Sequence, residues 1–213
     1  MPELPAGMES KMSRATAGIA VSLNSTYYMR RYYKNCTDAM TSSKRSDFSE
    51  SRLSQADANA LRRAVRELRN FDYDSDANDN MFNSVTAFIK TYNNTLDTAA
   101  NSSNTTFNRY AKQLKSAAKE CASDLKELGI TVNTDGSLDV NQNLLKKATS
   151  SEIGKLFSND GKFGHKIQQI SKRLEARSEE AYNSELLEAA NLAATKRAAA
   201  QTTGLGLNVD ITL

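Results

Sequence analysis

The sequence has few of the residues that interrupt helices or staple small domains together. Its 213 residues include no tryptophan, one histidine, two cysteines and only two prolines, Pro2 and Pro5. Because proline removes a backbone donor and clashes inside a helix, its absence from the rest of the chain allows long helices. The two cysteines, Cys36 and Cys121, suit neither a zinc site with four close ligands nor a disulfide framework. We therefore expect no metal and no other cofactor.

Long apolar runs and a large excess of one charge are also missing. The longest largely apolar stretch, residues 15–23, is far shorter than the ~20 residues of a membrane-spanning helix, so we expect no membrane span. No convincing signal-peptide cleavage site follows it, which leaves a cytoplasmic protein or one exported without a cleaved signal. With 28 basic and 25 acidic residues, the net charge of +3 is too balanced to predict a nucleic-acid partner.

Apolar residues recur at helical spacing along most of the chain, which predicts a mainly α-helical fold. A first helix should start at Ser54 and end near Phe71. Ser54 lies three residues before Asp57, which is the spacing of a capping box. The Asn/Ser/Thr run at residues 101–106 either breaks the second helical pattern or weakens it. Two stripes at spacings of three and four have the pattern of long antiparallel coiled-coil-like helices. The first stripe is Phe82, Val85, Phe88, Tyr92 and Leu96, and the second is Phe163, Ile167, Ile170 and Leu174.

One small β-hairpin is predicted at about residues 130–140. Apolar residues alternate on both sides of Asp135-Gly136, and Gly129 stands where the preceding helix needs a residue with positive φ. Asn141 should then cap a short helix that carries Leu144, and Ser151 should cap another short turn.

These patterns divide the chain into three parts. Residues 1–52 form a polar N-terminal segment, partly disordered or with one amphipathic element, and residues 41–52 resemble a linker. Residues 53–200 form a helical hairpin or bundle with the inserted β-hairpin. The stripe of the last helix continues more weakly at Ala181, Leu187 and Ala190, and residues 201–213 form an extended tail.

Three features could carry chemistry, but each has a simpler structural explanation. His165 lies at a predicted helix start without a cysteine or acid at the spacing of a catalytic dyad. Tyrosines and basic residues alternate at positions 27–34, which would suit single-stranded nucleic acid or a membrane surface. An amphipathic helix that packs its tyrosines on the bundle explains that segment better. The acidic residues between 72 and 79 lack the glycine and glutamate of a calcium loop.

Two stretches resemble one known family. The first runs from Phe88 through Tyr92-Asn93 to Leu96. The second combines Leu128-Gly129-Ile130, the Asp135-Gly136-Ser137-Leu138 turn and, further on, Leu156-Phe157. Together they are similar to the C-terminal helical region of the flagellar hook-associated protein 2 family, the filament cap. The resemblance covers about residues 82–190, and the order and spacing of its pieces are more specific than any single piece.

The resemblance implies a non-enzymatic protein that is exported through the flagellar secretion channel and assembles at the filament tip. Its partners would be flagellin or other flagellar axial proteins, with a possible homo-oligomer, and its place would be the extracellular flagellum. Two departures are clear: the chain has no room for the large β-rich head domains of a full cap, and its first 80 residues match nothing in the family.

The sequence therefore predicts a structural or assembly protein without an active site, in which the two apolar stripes and Leu144 are the packing or interaction residues. The alternative is a cytoplasmic helical adaptor or chaperone-like binding protein. The same stripes would serve an intramolecular bundle or an interface between chains, and sequence does not separate the two.

Overall fold

A computed structural model describes residues 25–74 and 79–205, with side chains described through residue 201. The fold is mainly α-helical with one two-stranded antiparallel sheet, as the sequence predicts. The segments at residues 1–24 and 206–213, which include most of the predicted extended tail, lie outside the described residues. No helix in the described ranges is both long and apolar enough to cross a membrane.

The elements follow one another with short connections. Residues 25–32 are helical (α1), and two 3-10 helices follow, at Thr37–Met40 and Ser42–Asp47. The remaining elements are α2 (Glu50–Arg69), α3 (Asp79–Asn101), α4 (Thr105–Glu120), α5 (Ala122–Glu127), β1 (Ile130–Val132), β2 (Leu138–Val140), α6 (Gln142–Leu145), α7 (Ser150–Phe157) and α8 (Lys162–Leu205).

Helices α2 and α8 pack side by side in opposite directions. Arg69 near the end of α2 reaches the carbonyl of Asn159, just before α8, at 3.1 Å. In the middle, Arg62 Nε lies 2.8 Å from Glu175 Oε2. At the other end, the Ser49 hydroxyl donates to Glu185 at 2.7 Å. Helices α3 and α4 complete a four-helix arrangement by packing on α2 and α8.

An aromatic cluster joins the bundle to the short helix α7. The ring of Phe88 in α3 lies 5.3 Å from that of Phe157 in α7 and 6.1 Å from that of Phe163 in α8, both edge to face. Edge-to-face pairs at such distances add ~0.5–1.5 kcal/mol to the effect of burial. Because all three rings are essentially inaccessible, this cluster is the centre of the core.

The predicted β-hairpin is held on α3 by two neighbouring side chains. Tyr92 donates its hydroxyl to the carbonyls of Leu114 and Gly136, at 3.0 and 3.1 Å. Asn93 accepts from the amide of Leu138 and donates to its carbonyl, both at 2.8 Å. Gly136 has a φ of 90°, and Gly129, which ends the preceding helix, has a φ of 75°. Tyr92 and Asn93 thus attach the hairpin to a helix, which supplies the support that an isolated two-stranded hairpin lacks.

Residues 25–48 belong to the bundle, and a buried carboxylate holds them there. Asp57 in α2 is fully buried and accepts from Arg45 at 3.0 and 2.6 Å, from Tyr33 at 2.6 Å and from Thr98 at 2.6 Å. Arg45 lies in the second 3-10 helix and Thr98 in α3. One carboxylate therefore ties three parts of the chain together, and its desolvation is offset by four donors.

Three predicted boundaries are wrong, each because another residue makes the cap. Ser49, rather than Ser54, caps α2 by accepting from the Arg52 amide, so residues predicted as linker form a 3-10 helix and the first turn of α2. Thr149, rather than Ser151, caps α7 in a capping box with Glu152. The last helix continues beyond Gln201 to Leu205.

Asn141 caps α6 as predicted, and Asn104 caps α4 after a clear break at residues 102–104.

Candidate protein-interaction surface

The two predicted stripes lie inside the single chain. Phe82, Val85, Phe88, Tyr92 and Leu96 on α3, and Phe163, Ile167, Ile170 and Leu174 on α8, are all at most 8% exposed. Burial raises the pKa of the Tyr92 hydroxyl, which stays protonated and donates to the hairpin. These residues hold the bundle together, and their side chains are not presented to a second protein.

Leu144 does not follow the packing prediction, because 47% of its surface is exposed. It lies in α6, a helix of four residues, and the neighbouring Leu145 is the one that enters the core. On a helix this short, adjacent leucines face different directions, so only one of the two is buried.

The segment of alternating tyrosine and basic residues is largely structural. Tyr28, Tyr32 and Tyr33 are buried, which confirms the predicted packing of α1 on the bundle. Tyr27 is the exception, with 59% of its surface exposed. Arg31 lies over its ring at 5.8 Å and is paired with Glu67 at 3.1 Å.

An open groove of about 870 Å³ next to α1 is lined by one acid, Glu67, and by five basic side chains, those of Arg30, Arg31, Lys34, Arg63 and Arg66. Burial raises the pKa of Glu67, with a smaller opposing effect of Arg31. Glu67 offsets only one of the five positive charges of the groove.

The side chains that could take part in a reaction do not come together in one site. His165 is exposed, and its ring nitrogen Nε2 contacts Gln169 at 2.7 Å. Cys36 and Cys121 are free thiols, and burial raises the pKa of the Cys121 thiol, which lowers its reactivity. Within the part of the chain that the structure describes, no group of three or more His, Cys, Asp or Glu side chains could hold a metal ion.

The surface that stands out is the far end of α8, where the helix continues after the bundle has ended. The last contacts along α2 are the hydrogen bond from Ser49 to Glu185 and the Arg52 guanidinium over the Tyr182 ring at 5.1 Å. Every residue from 183 to 201 is exposed. We call residues 186–201 the projecting segment. The helix runs to Leu205, about 30 Å beyond Glu185 at 1.5 Å per residue.

The projecting segment carries an apolar face that does not continue the stripe of the bundle. At about 100° per residue, the face that buries Ile167, Leu174 and Ser178 continues to Glu185, Glu188 and Leu192. The exposed apolar residues Leu186, Ala190 and Ala193 lie roughly 110° around the helix from that face. Leu187 and Ala190, which were predicted to continue the stripe, therefore point away from the bundle. Leu186 and Leu187 are 51% and 64% exposed.

Charges flank this apolar face with opposite signs at its two ends. Glu179 lies before it, and Arg197 lies after it on the same side of the helix. Both are exposed, and neither takes part in an ion pair among the described residues. A helix that is apolar on one exposed side and charged at the ends of that side is suited to packing against another helix.

A groove opens beside the base of the projecting segment. It has a volume of about 530 Å³ between α4 and α8, with Phe107 and Tyr110 on one wall and Arg173 and Arg177 on the other. Arg177 pairs with Glu180 at 2.7 Å. The accessible surface at the base of the projecting segment therefore includes side chains of α4 as well as of α8.

Sequence reasoning missed this surface because it treated all apolar positions of α8 as one stripe. The signal was present: Leu187 and Ala190 are out of phase with Phe163, Ile167 and Leu174 at 3.6 residues per turn.

Comparisons with protein-family models, with curated proteins and with solved structures found no match.

Proposed function

We propose that this chain is a non-enzymatic assembly protein that binds other proteins by helix packing, with the projecting segment as its binding surface. The supporting observation is the exposed apolar face around Leu186 and Leu187 on a helix anchored firmly in the bundle. Exposed apolar faces on one side of a helix are typical of helix-in-groove and coiled-coil recognition.

The resemblance of residues 82–190 to the filament-cap family supports a specific choice of partner. We propose that the partner is flagellin, another flagellar axial protein or a sister subunit, and that binding takes place on the flagellum outside the cell. The bundle would then serve as the base, and α8 would carry the contact to the neighbouring subunit.

The experiment is light scattering on the purified chain, alone and mixed with flagellin from the same source. We expect a complex with a larger mass in the mixture. The double variant Leu186→Asp/Leu187→Asp should lose it, because it places two charges on the apolar face. The matched control is Leu144→Asp, which alters a leucine of similar exposure on α6 and should keep the complex.

A chain that ignores flagellin, or that binds it equally well in both variants, contradicts the flagellar proposal. The free thiols of Cys36 and Cys121 favour a second candidate, a cytoplasmic helical adaptor or chaperone-like protein, because reducing compartments keep thiols unpaired. Recovery of the protein from the cytoplasm rather than from the flagellar fraction would support that candidate.

A further inference from the structure

The projecting segment and the turn before it contain a seam with strict coiled-coil spacing. Positions 179, 183, 186, 190, 193 and 197 are separated by four, three, four, three and four residues, so they share one side of α8. The side chains along this seam are Glu179, Asn183, Leu186, Ala190, Ala193 and Arg197. All six residues are exposed, on a side of the helix next to the side that contacts α2 through Glu175 and Tyr182.

The order of these residues is complementary to itself when one copy is reversed. In an antiparallel pair centred near residue 188, Leu186 of one copy meets Ala190 of the second copy, and Asn183 meets Ala193. Glu179 then lies opposite Arg197 of the second copy, once at each end. A parallel pair would instead place Glu179 beside Glu179 and Arg197 beside Arg197, which is unfavourable.

Residues beside the seam fit the same arrangement. Leu187 lies next to the centre of the pair, where it would meet Leu187 of the second copy. The small side chains of Ala190 and Ala193 allow the two helix backbones to approach closely. The seam spans about 27 Å, and its two ends carry the only charged residues on it.

The seam is accessible to a second copy even where α8 is still part of the bundle, because Glu179 and Asn183 are exposed there. The bundle covers the side of α8 that carries Ile167, roughly 110° around the helix from the apolar residues of the seam. In the antiparallel pair, residues 191–201 of each copy run alongside residues 175–185 of the other, where Glu179 and Asn183 are exposed although α8 is still packed on α2.

From this complementarity of shape and charge, we infer that the chain forms an antiparallel homodimer through the seam of α8. The inference rests on the proposed function, because it assigns the partner of the same binding surface. It adds the identity of that partner, the orientation of the two copies and the residues that face each other.

The test is sedimentation velocity on the full chain over a range of concentrations. We expect a monomer–dimer equilibrium. Glu179→Arg alone and Arg197→Glu alone should each weaken the dimer at least about tenfold, because each places like charges together at both ends. The combined variant Glu179→Arg/Arg197→Glu should restore the wild-type equilibrium, since only an antiparallel pair of copies regains both opposite-charge contacts.

Glu188→Arg is the matched control, because it makes the same change of charge on the polar side of the projecting segment. It should leave the equilibrium unchanged. A wild-type chain that stays monomeric at every concentration overturns the inference. A dimer that the combined variant does not restore also overturns it, as does a control that fails like the two single variants.

Two further outcomes separate this inference from the proposed function. A monomer that binds flagellin through Leu186 and Leu187 overturns the homodimer and leaves the proposed function standing. A restored dimer that ignores flagellin supports the homodimer and overturns the flagellar partner. If the chain is monomeric and Leu186→Asp lowers its thermal midpoint, residues of the same chain cover the seam, and the inference fails.

Discussion

Asp57 is the residue on which the N-terminal part of the bundle depends. Its carboxylate is fully buried, and the guanidinium of Arg45, with 15% of its side-chain surface exposed, is its charged partner. Tyr33 donates to the same carboxylate, and burial raises the pKa of the Tyr33 hydroxyl, so that it remains a donor. A buried pair of this kind is costly to break from one side, because the remaining charge has no partner.

We expect Arg45→Ala to lower the free energy of unfolding by about 3–5 kcal/mol, since it leaves the Asp57 carboxylate without its counter-charge. Asp57→Ala should destabilise the protein to a similar degree. The double variant should cost clearly less than the two single changes together, because no charge is then left buried. Denaturant unfolding of the four proteins measures this difference. Strict additivity would show that the two side chains do not act as a pair.

Glu50 makes a second contact between distant residues, at the surface. Its carboxylate accepts from the amide and hydroxyl of Ser103, both at 2.8 Å, and from the hydroxyl of Ser102 at 2.9 Å. These hydrogen bonds, led by the Ser103 amide, lower the pKa of Glu50 below its ordinary value of 4.5. They join the start of α2 to the turn between α3 and α4.

Because the pKa of Glu50 is lower in the folded state, its contribution to stability is complete above the ordinary pKa of a glutamate. It disappears as the pH falls through the lowered value. We expect Glu50→Gln to lower the thermal midpoint at pH 7 and to make little difference once the pH is below both values. Thermal unfolding of the two proteins at pH 7 and near pH 2 checks this. An equal shift at both pH values would contradict an ionic role.

At the scale of elements, the depth at which each helix lies decides what its leucines contribute. Leu174 is fully buried between α8 and the bundle, whereas Leu144 on the short helix α6 is 47% exposed. Leu174→Ala should cost about 2–5 kcal/mol, which is the usual range for a leucine removed from a packed core. Leu144→Ala should cost well under half as much. Denaturant midpoints of the two variants make the comparison, and equal losses would contradict the assigned packing.

The sequence predicted the elements well and their boundaries less well. Gly129 and the Asp135-Gly136 turn located the hairpin, because positive φ and turn residues are local properties. Ser49 and Thr149 were missed as caps because Ser54 and Ser151 lie nearby with the same chemistry. Which serine or threonine caps a helix depends on where tertiary packing begins to cover it.

At the scale of the whole molecule, the helices were predictable, but the surface that they leave open was not. The stripe of α3 was periodic enough to identify, yet only the structure shows that it faces the interior of the same chain. The projecting segment depends on relative lengths: α2 begins at Glu50, opposite residue 185, whereas α8 continues to Leu205. Such an overhang follows from how two distant helices align, and a single sequence does not specify that alignment.

The pairing of the first long helix with the last also bears on how the protein is made. Helix α2 finishes at Arg69, but its main neighbour α8 begins only at Lys162. During synthesis, α2 therefore emerges from the ribosome long before α8, and in that interval only part of its apolar side can be covered, by α3. Contacts between such distant segments slow folding and delay closure of the core. The core of such a chain therefore closes only after the part of α8 that packs on α2 has been made.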